Sequence, residues 1–117
     1  LKIKWDKEAE KTLTEISEYS IKNFGEVKAQ EYFDKINKKL GTVQLLPNSG
    51  TNISYLDDMQ YVIAENYHFV YFVENNCINI THVLHKNSNV EAKLRLDFNV
   101  PETGQWHRNN NTDFGNN

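Results

Sequence analysis

The sequence predicts an α+β fold: a short N-terminal strand, an αα-hairpin and then a three-stranded antiparallel meander, with the helices packed on one sheet face. Two observations carry this. Apolar residues recur at steps of four and three along residues 7–46, the repeat of amphipathic helices. Three runs rich in Val, Ile, Tyr and Phe follow within residues 59–85, and such side chains suit a pleated, half-buried surface. At 117 residues, 38% of them hydrophobic, the chain can fill one core and is too short to argue for two.

Taken in order, Lys2-Ile3-Lys4-Trp5 alternates polar and apolar, which is strand periodicity. Asp6 precedes a run of helix formers, where a carboxylate can accept the free amides of a first turn. Ala9, Leu13, Ile16, Ser20 and Phe24 make one stripe, and Gly25 ends the helix because glycine alone takes a left-handed conformation without penalty. Ala29, Phe33, Ile36, Leu40 and Val43 make the second stripe, extended by Leu46 and stopped by Pro47-Asn48-Ser49-Gly50. Neither helix is stable alone in water, so the two stripes must bury against each other and the sheet.

Residues 51–58 have no clean period and read as a surface loop. The strands are expected over 59–65, 67–74 and 77–85, joined by Glu65-Asn66 and by the Asn-rich Asn75-Asn76, which suits a turn needing positive φ. In the middle strand Tyr67, Phe69, Tyr71 and Val73 share a face; in the last, Ile78, Ile80, His82 and Leu84 are expected to do so. Residues 90–96 fit either a short helix or a last extended segment. Val100-Pro101-Glu102-Thr103-Gly104 reads as a turn, and from Asp97 onward there are too few apolar residues for a core of their own. The division expected is therefore a folded domain over 1–90 and a polar, partly disordered C-terminal extension over 91–117. Trp106 and Phe114 are its isolated aromatics, able to anchor it on a partner or on the domain itself.

The formal net charge of −3 gives no overall pull toward nucleic acid or an anionic membrane. The single cysteine, Cys77, cannot form an internal disulfide and reads as a small buried strand residue. No apolar run approaches the roughly 20 residues of a spanning helix, and no secretory leader is visible, so a soluble cytoplasmic protein is expected.

The order strand, helix, Gly, helix, Pro-x-x-Gly turn and three strands resembles the RelE/ParE superfamily of small toxins from type II toxin–antitoxin modules. The segments IKWDKEAEKTLTEISEYSIKNFG, AQEYFDKINKKLGTVQLLPNSG and NYHFVYFVENNCINITHVLH carry the resemblance, over residues 2–88. It implies a toxin neutralised by a cognate antitoxin, the two forming a hetero-oligomer, with no cofactor. ParE-like members act on DNA gyrase, and RelE-like members cut messenger RNA in the ribosome with clustered Arg, Lys, Tyr or His side chains. Where many members carry Gly-x-Arg before the second strand, this chain has Leu56-Asp57-Asp58-Met59, and His85-Lys86 is followed by Asn87-Ser88-Asn89 rather than by further cations. That thin basic cluster favours the ParE-like branch, acting by binding a protein target. The alternatives are a ribosome-dependent endoribonuclease and a degenerate, non-toxic member.

Under the ribonuclease reading the catalytic candidates are His85, Lys86 and Tyr67, which would have to move two protons and stabilise a phosphorane. A strand-end histidine is as readily an edge residue, and strand tyrosines mostly pack their rings. Trp5, Ile53, Tyr55 and Leu56 are the candidate partner-binding residues. His82 reads as a satisfied core histidine. His68 and His82 could meet across strands, but without a third ligand they make no metal site. Lys28, Lys35, Lys38 and Lys39 are interspersed with Glu31 and Asp34, as on an ordinary solvated face.

Overall fold

The structure, a computed structural model, describes residues 1–107. Phe114 lies outside them. The elements run β1 (Lys2–Trp5), α1 (Lys7–Phe24), α2 (Glu26–Leu45), β2 (Thr51–Asn52), β3 (Gln60–Ala64), β4 (Tyr67–Glu74), β5 (Cys77–His85) and α3 (Val90–Asp97). The expected meander β3-β4-β5 is present inside a five-stranded sheet of order β1-β5-β4-β3-β2, in which β1 runs parallel to β5. The chain between β1 and β5, which comprises the αα-hairpin and strands β2 to β4, is long enough for the crossover a parallel neighbour needs. Residues 51–58 depart from the expected surface loop: Thr51 and Asn52 pair with β3, and Ile53 and Leu56 are buried.

The first core lies between the αα-hairpin and one sheet face. Ala9 and Ile16 of α1 and Ile36, Leu40 and Val43 of α2 pack on Val62, Phe69, Tyr71, Ile78 and Ile80, as the spacing predicts. The stripes outlast the sheet at both ends, so Phe24 is 60% exposed and Leu46 61%. Gly25 links the helices alone, at φ +86°. Asp6 makes no side-chain cap; its amide donates to the Ile80 carbonyl (2.9 Å), so it ties the start of α1 to β5 instead. The Pro47–Gly50 turn is held by Tyr71, whose hydroxyl donates to the Pro47 carbonyl (2.8 Å) and accepts the Gly50 amide (3.1 Å). A Cβ on Gly50 would collide with that hydroxyl, which is why glycine stands there.

Asn75 and Asn76 both take positive φ (54° and 60°), the geometry of the tight hairpin the sequence called for. The β4–β5 register departs from simple alternation. Val70 faces His82 but Tyr71 faces Ile80, so Thr81 is an inserted residue, its hydroxyl directed at the Val70 carbonyl (3.4 Å). One inserted residue reverses every side chain beyond it. Ile78 and Ile80 therefore face the helices while His82 and Leu84 face the other side, correcting the expected single row. Cys77, expected to be buried, is only partly so.

A second core covers that other side. Ile53, Leu56, Met59 and Val70 are joined by Leu94 of α3 and by Val100, with Phe98 and Trp106 packed against them. The 90–96 segment is thus helical, started by the Asn89 side chain, which accepts the Ala92 amide (3.1 Å). Residues after Asp97 build no core alone, yet they complete one the sheet begins. Arg95 holds this strap: its guanidinium lies 4.4 Å from the Tyr55 ring centroid, pairs with Glu91 (2.8 Å) and donates to the Pro101 and Gly104 carbonyls. Trp106 donates its amide to the Tyr55 carbonyl (3.0 Å), and its carbonyl accepts from Asp57 (2.8 Å). Among the described residues no helix is long and apolar enough to cross a membrane.

Candidate functional site

The β3–β4 turn and the end of β5 meet the αα-hairpin near its tip. Tyr67, first in β4, stands opposite His85, last in β5, so the register brings two of the three catalytic candidates together, with rings edge to face at 5.3 Å. They line a cleft of about 410 Å³ whose helix side is Ile16, Tyr19, Phe24, Lys28 and Tyr32. The side chain of Lys86 is not among the lining groups; its amide donates to the Asn66 carbonyl (2.7 Å), fixing the strand end to the β3–β4 turn.

The chemistry of this cleft can be read from its hydrogen bonds. His85 Nδ1 accepts the Asn87 amide (3.0 Å), so the neutral ring carries its proton on Nε2. The lone pair a general base would use is occupied, and Nε2 is a donor. Burial raises the Tyr32 phenol above its usual range, against a lowering hydrogen bond from Asn66. Burial likewise raises Tyr67, with Tyr19 adding to the effect. Both phenols therefore stay protonated at neutral pH and cannot take a hydroxyl proton. Lys28 is the lysine among the lining groups, whereas stabilising a phosphorane calls for several cations. The arrangement can donate hydrogen bonds and offer aromatic surface.

That surface is the feature the sequence reading missed. Tyr19 is 63% exposed and Phe24 60%, their rings edge to face at 6.4 Å on the cleft's helix side. Large apolar side chains held open around a cleft are the composition of a docking site, since monomers rarely leave such patches uncovered. The signal was present as Phe24 at the end of a stripe, but periodicity alone does not say that the sheet stops short of it.

The proposed partner-binding residues lie elsewhere. Trp5 packs edge to face on Phe69 (6.3 Å) in the helix-side core. Ile53 and Leu56 are 7% and 1% exposed in the second core, and Tyr55 lies under Arg95, so these three are occupied within the domain. His82 bonds Asp97 (2.8 Å) and Thr81 (2.8 Å), the satisfied histidine expected. Among the described residues no group of His, Cys, Asp and Glu is placed to hold a metal.

The model of the family described as ParE toxin of type II toxin-antitoxin system, parDE, matches residues 3–90. No curated protein matches the chain. Of solved structures, a chain of the "Chromosomal ParDE TA system from P. aeruginosa" superposes with TM-score 0.60 at 19% identity, covering 73% of this chain and 95% of that one, a likeness of fold. The strand, helix pair and antiparallel strands that the sequence foretold thus coincide with the matched span, and the chain belongs to the ParE toxin family of type II toxin–antitoxin systems.

Proposed function

We propose that this toxin acts in the cytoplasm by binding a protein target such as DNA gyrase through the cleft at the hairpin tip, and that its cognate antitoxin neutralises it. The observation that carries this reading is the exposure of Tyr19 and Phe24 on a cleft that offers aromatic surface and hydrogen-bond donors. Aromatic anchors supply most of the energy of protein interfaces, and Lys28 at the rim adds selectivity for an acidic neighbour.

A second reading is ribosome-dependent cleavage of messenger RNA, favoured by the adjacency of Tyr67 and His85. It needs a base that the Asn87 bond to His85 leaves unsupplied. The two are separated with purified protein in two assays, gyrase supercoiling and integrity of ribosome-bound message. Inhibited supercoiling with intact message is the expected result; cut message with unaffected supercoiling would replace the first reading by the second.

A further inference from the structure

The apolar stripe of α1 has one polar member. Ala9, Leu13, Ile16 and Phe24 are the residues such a stripe calls for, and Ser20 stands among them at 7% exposure. Buried polar groups are hydrogen-bonded as a rule, and a hydroxyl inside a helix can donate to the carbonyl four residues back. Thr12 does so toward Glu8 (2.9 Å) and Thr42 toward Lys38 (3.3 Å). Ser20 makes no such bond, and its hydroxyl has no hydrogen-bond partner among the described residues. At this position serine is worse for the fold than alanine, through lower helix propensity and through the desolvated hydroxyl.

Ser20 lines the cleft at the hairpin tip. The buried residues Ile16, Ser20 and Ala29, at 7%, 7% and 5% exposure, form its floor, and the exposed Tyr19, Phe24 and Lys28 its rim. The other polar groups of the cleft are donors as well. His85 carries its proton on Nε2, because Nδ1 accepts the Asn87 amide (3.0 Å). The Tyr32 oxygen takes a hydrogen bond from Asn66, which leaves its own proton to donate. Among the described residues one lysine and no carboxylate line the cleft; Glu65 acts on Tyr32 from outside the lining. Donors and a cation set between apolar walls are complementary to an anion carried on an apolar segment.

We propose that the cleft receives an aspartate or glutamate side chain of the toxin's protein target, and that Ser20 is the residue that reads it. The Ser20 hydroxyl donates to the carboxylate, Lys28 neutralises it, and Tyr19 and Phe24 hold the apolar neighbours of the acidic residue. This rests on the docking reading given above and specifies the chemistry of the docked group. A carboxylate is favoured over a nucleic-acid phosphate because one lysine lines the cleft, whereas phosphate backbones are held by several cations acting together. Alone, an unpartnered hydroxyl in a buried floor weakens the fold. Met by a carboxylate it makes a charge-assisted bond, roughly twice as strong as a neutral one.

The test uses the full chain and two peptide probes, acetyl-Leu-Glu-amide and acetyl-Leu-Gln-amide, followed at the backbone amide signals of Ser20, Lys28, Tyr32 and Tyr67 in two-dimensional NMR. The Glu probe binds at least about tenfold more tightly than the Gln probe, and Ser20→Ala removes about tenfold of that affinity. Ser20→Cys, which keeps the volume and loses the strong donor, follows Ser20→Ala. In thermal unfolding of the free chain, Ser20→Ala leaves the midpoint unchanged or raises it by up to about 4 °C. Equal binding of the two probes, no binding of either, or Glu binding that Ser20→Ala leaves unchanged overturns the proposal. A lowered midpoint in Ser20→Ala overturns it too, since the hydroxyl would then be a structural group. Tighter binding of a uridine trinucleotide than of the Glu probe at the same amides overturns it in favour of nucleic acid. Neither probe involves gyrase, so the two readings fail separately. A chain that binds the Glu probe through Ser20 yet leaves supercoiling unaffected keeps the carboxylate site and loses gyrase as its target; one that inhibits supercoiling without distinguishing the probes keeps the target and loses the carboxylate.

Discussion

The two faces of the sheet are covered by different means. On the helix side two long stripes, contributed by α1 and α2, bury Phe69, Tyr71, Ile78 and Ile80. On the other side one short helix and an irregular strap bury Val70 and Met59 with scattered residues, Leu94 and Val100 among them, held by Arg95. The first cover falls inside the span matched by the family model, residues 3–90, and most of the second lies beyond it. A regular cover makes a stable frame, and it also ends bluntly, leaving Phe24 and Tyr19 uncovered where the helices outrun the strands. The irregular cover leaves little apolar surface open, apart from Leu96 (76% exposed) and the strip around Ile63.

This difference gives an ordered set of expected outcomes. Phe69→Ala, at a fully buried ring on the helix side, lowers global stability by about 3–5 kcal/mol in denaturant unfolding. Leu94→Ala removes the central anchor of the second cover and costs about 2–5 kcal/mol. In hydrogen exchange its effect is concentrated in residues 90–107, with the hairpin still protected; equal loss in both places would show that the two covers form one cooperative unit. Arg95→Ala loosens the same strap by about 1.5–3 kcal/mol, because two backbone carbonyls lose a charged donor and Tyr55 loses its cation. Glu65→Gly has the smallest effect and the opposite sign. Glu65 sits at φ 54° in the β3–β4 turn, and relief of that strain raises stability by about 1 kcal/mol in thermal unfolding.

The legibility of the molecule divides along the same line. Ala29, Phe33, Ile36, Leu40 and Val43 repeat at helical spacing, so α2 and the face it covers could be read from sequence. The β4–β5 turn was equally open, because Asn75-Asn76 is one of few pairs that accept its backbone angles. The bulge at Thr81 was not, since an inserted residue leaves the composition of a strand unchanged and is set by the partner strand. Nor was the strap: Leu94, Val100 and Trp106 have no common period, and their burial depends on a sheet face that only the folded chain presents. In the candidate site, the meeting of Tyr67 and His85 followed from strand register. The bond that ties up His85 Nδ1 comes from Asn87 in a loop and carried no sequence signal.

The most direct test of the docking reading compares Phe24→Ala with His85→Gln in gyrase supercoiling and in cleavage of ribosome-bound message. Loss of an exposed aromatic anchor weakens inhibition of supercoiling by at least about tenfold in Phe24→Ala, with message intact in both variants and in the wild-type protein. Cleavage of message by the wild-type protein, retained in Phe24→Ala and lost in His85→Gln, would contradict the account.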